Sequence, residues 1–190
     1  MPRDSTATRS RLIEAAVEEF SRHGLAGARV DRIATSASAN KRAIYDYFGN
    51  KEGLFDAALT HVVSDLVVAV PLDEHDLPGY AGTLFDYLLA HPEAVRMNSW
   101  RRLERPQAGP TIEDTFVGHM ALVRDHSTTA IDGRGIGPTD LVILVIGLAN
   151  AWHLSAADLL AAGGVAPTEA VVAAHRAAVV EAARRVSNAR

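Results

Sequence analysis

Apolar positions recur along this chain at helical spacing almost throughout. Leu12, Ile13, Ala16, Val17 and Phe20 form a stripe separated by polar residues, and Gly24 supplies a stop. Val30, Ile33, Ala34 and Ala37 predict a short second helix. Asn40 caps a third, whose apolar face is Ile44 and Phe48. Gly49 ends it and Asn50 caps a fourth. The fourth is long: it carries Leu54, Phe55, Ala58, Leu59, Val62, Val63, Leu66 and Val67, and stops near Pro71.

The segment "PLDEHDLPG" at 71–79 is acidic, holds two prolines and reads as a loop. Beyond it the pattern predicts helices over 79–90, 92–104, 111–131, 138–162 and 168–187. Pro92, Pro138 and Pro167 fall at starts, where a missing N–H costs nothing. "RPQAGP" at 105–110 and "DGRGIGP" at 132–138 are the main loops. No repeat, low-complexity tract or convincing strand occurs. The expected fold is all-α with about nine helices, an N-terminal domain over 1–50 and a larger helical domain over 51–190, connected by the long helix 51–70.

Composition narrows the classes. The 190 residues are 22% charged and 48% hydrophobic, as in ordinary soluble globular chains. With no cysteine there are no disulfides, thiolate metal sites or cysteine nucleophiles. "MPRDSTATRSRL" has no apolar core and is not a secretory signal, so a cytoplasmic location is expected. The most apolar run, "LVILVIGLANAWHL" at 141–154, is too short to span a bilayer and reads as a buried helix. The net charge of −4 hides an asymmetry: residues 1–60 hold 9 Lys/Arg and 8 Asp/Glu, the remainder 10 and 15. Broad coating of nucleic acid is therefore disfavoured, but a local basic face on the first segment is not.

"NKRAIYDYFGNKEGLF", at 40–55, places Tyr45, Tyr47 and Phe48 among Lys41, Arg42 and Lys51. Three short helices and a long fourth, with joints of three to four residues, suggest a helix-turn-helix whose third helix enters the major groove. Groove entry needs polar or basic residues at the front, here Asn40, Lys41 and Arg42, and apolar ones behind, here Ile44 and Phe48. Tyr45 and Tyr47 suit phosphate contacts through their hydroxyls. Lys51 adds a cation beside the free N–H groups of the fourth helix.

"ARVDRIATSASANKRAIYDYFGNKEGLFDAAL" resembles the DNA-binding domain of the TetR family of bacterial regulators, a likeness that covers residues 12–59. The matching features are Ile33-Ala34, the small-residue turn from Ser36 to Ala39, Ile44-Tyr45-Asp46-Tyr47-Phe48, and Lys51-Glu52-Gly53-Leu54. Three positions depart from the family pattern. Ser38 replaces the usual turn glycine, Arg29 replaces a capping Thr or Ser, and Arg42 stands where glycine is common. The resemblance implies base contacts from Asn40, Lys41, Arg42 and Ala43, and phosphate contacts from Arg29, Tyr45, Tyr47 and Lys51.

For the larger region the resemblance implies a homodimer and a small-molecule cavity. Independently, "LVILVIGLANAWHLSAADLLAA" and "EAVVAAHRAAVVEAARRV" are apolar over more than one face, and a two-fold partner would bury them. Candidate cavity-lining residues are Met97, Trp100, Phe116, His119, Met120, Trp152 and His153, large adaptable side chains with a few polar groups. The implied function is a ligand-responsive repressor that binds an inverted-repeat operator. The alternative is a helical ligand-binding or protein-interaction module whose helix-turn-helix no longer binds DNA.

An enzyme is not expected. Glu-x-x-His, His-Glu-x-x-His and Gly-x-Ser-x-Gly are all absent, and "GRGIG" at 133–137 follows no strand. No cofactor, metal site or membrane association is expected either.

Overall fold

A computed structural model describes residues 3–73, 75–105 and 136–188. Among these residues there are eight α-helices and no strand. They are α1 (Arg3–Gly27), α2 (Val30–Ser36), α3 (Lys41–Phe48), α4 (Lys51–Ala69), α5 (Leu77–Ala90), α6 (Pro92–Glu104), α7 (Pro138–Ala162) and α8 (Glu169–Ser187). The helix expected over 111–131 lies outside the described residues, as does most of the two loops that flank it.

The described residues divide into two compact units. The first runs to Leu66 and takes in α6; the second comprises Val67–Ala90 with α7 and α8. This division differs from the expected boundary at 50. The reason is packing: Leu54, Phe55, Ala58 and Leu59 of α4 belong to the same core as Leu12, Ala16 and Phe20 of α1, Ile33 of α2 and Ile44 of α3. Phe20 and Phe55 meet edge to face, 5.1 Å between centroids. Each fully buried side chain of this size stabilises by about 1.5–3 kcal/mol.

α1 starts earlier than its apolar stripe and breaks at Gly24, with φ 67° and ψ −179°. A side chain here would strain the backbone, and its Cβ would lie 2.8 Å from the Trp100 ring. Past the break, the Leu25 and Ala26 N–H groups donate to the Glu104 carboxylate of α6. Trp100 completes the junction by donating its indole N–H to the Ser21 carbonyl at 3.2 Å.

In the second unit α5 packs on α7 and α8. Phe85, Leu88, Val145, Ala149, Val179 and Ala183 are buried, and Arg176 of α8 holds Asp86 of α5 at 2.7 Å. α7 runs well past the apolar stretch at 141–154 that marked it in the sequence. Thr139–Ala162 is long and apolar enough to cross a membrane by length and composition, yet only 22% of its most apolar stretch is buried. Ile143, Leu144, Leu154 and Leu159 stand exposed. Apolar residues run nearly all round this helix, and α5 and α8 cover only part of its circumference.

Candidate nucleic-acid interface

The site is built from α1 outward. Arg29 sits at the N-cap of α2 in an extended conformation and makes no side-chain cap. Its backbone N–H instead donates to Glu19 of α1 at 2.8 Å, and the Arg32 guanidinium donates to the same carboxylate. Glu19 is only 9% exposed. Burial is the largest single influence on its carboxyl and pushes the pKa up. The hydrogen bonds from Arg32 and from the Arg29 N–H, with the charge of Arg32, outweigh burial and hold it below the usual carboxylate range. A residue of another helix thus satisfies the start of α2, where the sequence lacks a Thr or Ser cap.

The turn after α2 needs one residue in the left-handed region, and Ser38 takes it with φ 50°. The backbone conformation that glycine would adopt freely is therefore kept. Arg11 donates to the Ala37 carbonyl at 3.1 Å and ties the turn to α1. Asn40 caps α3, its side chain accepting from the Arg42 N–H at 2.8 Å. Gly49 closes α3 and Asn50 caps α4, accepting from Gly53 N–H at 2.7 Å. Ile44 is fully buried, so the opposite side of α3 faces solvent.

That outer side carries the expected contact residues. Asn40, Lys41 and Arg42 are exposed, Ala43 is half-buried, and Tyr45 and Tyr47 are exposed. The Arg42 side chain is 85% exposed, with its Nε 3.7 Å from Asp46. The Lys41 ammonium lies 2.9 Å from Asp31 of α2, and its hydrogen bond to that carboxylate raises its pKa. Lys51, half-buried, donates to the Ala26 carbonyl at 3.2 Å. Arg29 is exposed. The structure adds Arg9, whose guanidinium lies 5.4 Å from the Phe48 ring centre at the end of α3. In the sequence Arg9 was one of several cations in the N-terminal stretch, with nothing to mark its approach to α3.

The expected pocket residues separate. Met97 is fully buried in the core of the first unit, and Trp100 packs beside it. α6 turns this face toward α1, so both residues hold the helix-turn-helix unit together. This arrangement differs from the expected cavity lining. Phe116, His119 and Met120 lie outside the described residues. Trp152 and His153 are in the second unit, each with its ring near Phe85, and His175 joins them. Phe85 and His175 were not singled out from sequence; they sit in ordinary apolar helical stretches.

Residues 12–58 match the family model described as bacterial regulatory proteins, tetR family. Residues 76–185 match the model of the tetracyclin repressor-like C-terminal domain. The chain is 39% identical to the HTH-type transcriptional repressor SCO4008 of Streptomyces coelicolor, over 97% of each chain. It is 36% identical to the HTH-type transcriptional repressor NicS of Pseudomonas putida, over 52% of this chain and 50% of that one. Its fold is similar to that of a solved structure, the transcriptional regulator SCO4942 of S. coelicolor. That match has a TM-score of 0.76 and 38% identity, and covers 94% of this chain and 97% of the other.

Proposed function

This chain belongs to the TetR family of bacterial regulatory proteins, and we propose that it reads its operator through the exposed front of α3. It is a ligand-responsive DNA-binding transcriptional regulator of the repressor kind. The alternative of a helix-turn-helix silent toward DNA is not favoured, since its full-length relative is a repressor. The observation that carries the reading is the geometry of α3: a capped N-terminus, Lys41 and Arg42 outward, and Ile44 anchored in the core.

Asn40, Lys41, Arg42 and Ala43 face base edges. Arg42 is suited to a bidentate contact with guanine, and Ala43 to a thymine methyl. Arg29, Tyr45, Tyr47 and Lys51 hold phosphates. Lys41 and Lys51 already have partners, Asp31 and the Ala26 carbonyl. Both contacts are solvent-exposed and screened, so a phosphate displaces them readily. Two subunits pair through α7 and α8 and place their α3 helices in successive major grooves, roughly 34 Å apart. The operator is then an inverted repeat. An effector held in the second unit favours a conformer whose recognition helices no longer match the groove spacing, and its differential affinity sets the size of the switch. The protein acts in the cytoplasm, where the chromosome is.

The test separates base readout from phosphate contact. Arg42→Ala relaxes preference at one base pair per half-site by about 1–3 kcal/mol. Lys51→Ala weakens binding to all sequences alike and lowers the salt slope by about 1. Equal loss for Arg42→Ala on specific and random DNA removes Arg42 from base readout. An unchanged slope for Lys51→Ala removes its phosphate role.

A further inference from the structure

The second unit contains one cluster that packing alone does not explain. Phe85 of α5, Trp152 and His153 of α7 and His175 of α8 converge. Ring centroids lie 4.8 Å apart for Trp152 and His175, 5.7 Å for Phe85 and His175, and 6.1 Å for Phe85 and His153. Phe85 is fully buried, whereas Trp152, His153 and His175 are each partly exposed, so the cluster opens at an edge. The Nε2 atoms of both histidines are buried without a hydrogen-bond partner. A buried polar atom left unpaired is costly, and two around one phenylalanine are unusual in a settled core.

We propose that this cluster is the effector's docking floor and that its ligand is an uncharged planar aromatic molecule bearing a hydroxyl or N–H group. The proposal rests on the reading of the second unit as effector-binding and names the chemistry of that site. The partly exposed ring of Trp152 supplies stacking surface, backed by the buried Phe85. The two imidazoles supply one nitrogen each, a donor in one tautomer and an acceptor in the other. A hydroxyl both donates and accepts, so it can satisfy one nitrogen of each kind. Charge is disfavoured on both sides. Burial, and secondarily the neighbouring His175, keep His153 below the usual histidine range and therefore uncharged at neutral pH. The nearest guanidinium in sequence, Arg176, is already held by Asp86 at 2.7 Å, so that pair offers a ligand neither a free cation nor a free carboxylate.

Calorimetric titration with three bicyclic probes tests this: 2-naphthol, 2-naphthoate and N-methylquinolinium. The expected result is saturable binding of 2-naphthol, with both charged probes weaker by about tenfold or more, the loss expected when a buried polar pairing fails. His153→Phe and His175→Phe each weaken 2-naphthol by about tenfold while the free protein melts no lower, because an unpaired nitrogen has been removed. If a Phe variant fails to fold, His175→Leu, smaller and equally unable to hydrogen-bond, decides. Equal or tighter binding of a charged probe overturns the ligand class. Wild-type affinity for 2-naphthol in the substituted proteins, or no binding of 2-naphthol to the wild type, overturns the site. Operator release is measured alongside. Release by some other small molecule, unaffected by the histidine substitutions, leaves the effector reading standing without this site. A protein that binds operator and is released by no small molecule fails the effector reading itself.

Discussion

Glu19 is a single carboxylate, yet the entry of α2 and the position of Arg29 both depend on it. Its acceptance of the Arg29 N–H and the Arg32 guanidinium replaces a local cap with a tertiary one. Because its folded pKa is depressed, its stabilisation is present above the unfolded value, about 4.3, and is lost as pH falls through the folded value. Glu19→Gln is expected to cost about 1–2 kcal/mol at neutral pH, allowing for the partly exposed Arg32. It should also flatten the fall in stability below about pH 4.3, measured by urea unfolding across pH. An acid limb as steep as that of the parent would show that Glu19 does not supply this term. The missing cap at position 29 was legible in the sequence. Its replacement was not, because Glu19 lies ten residues earlier in a different helix, and only the close approach of α1 and α2 gives it a partner. The exposed front of α3 was legible for the opposite reason: Asn40, Lys41, Arg42 and Ile44 are arranged by the local geometry of one short helix.

At the scale of elements, helix starts and stops followed local chemistry. Asn40 and Asn50 cap where their side chains predict, and α6, α7 and α8 begin within a residue of the expected positions. What local chemistry could not disclose was which core each helix joins. Met97 and Trp100 share a face of α6, and the sequence reads equally well whether that face lines a cavity or covers α1. The Gly24 break decides, since it makes room for the Trp100 ring and leaves N–H groups for Glu104. Gly24→Ala should therefore destabilise by more than about 2 kcal/mol, combining backbone strain with a clash. Ser38→Gly should instead gain about 0.5–1 kcal/mol, since the left-handed turn no longer strains a side chain and the added chain entropy offsets part of that relief. Urea midpoints check both. A harmless Gly24→Ala would mean that the α1–α6 junction tolerates a straight helix.

At the scale of the whole molecule, the exposed apolar face of α7 is the feature that the described residues leave without cover. Ile143, Gly147 and Leu154 lie along one side of it, and nothing approaches a Cβ built at Gly147. In the proposed two-fold pair that side, with the small residues Ala174 and Ala178 of α8, is suited to close helix approach. Leu154→Arg should raise the dimer dissociation constant by at least about a hundredfold, the effect of burying an unpaired charge, read by sedimentation. An unchanged dimer would move the interface elsewhere. The apolar character of α7 and its need for cover were legible from sequence, but which side faces outward was not, because pattern alone does not say which faces α5 and α8 take. The measurement that tests the account most directly is a selection of genomic fragments by the purified protein at near-physiological salt, read by sequencing. The account predicts enrichment of one inverted repeat, with half-sites about one helical turn apart, centre to centre. Folded, dimeric protein that enriches no sequence, or enriches only an asymmetric single site, would contradict it.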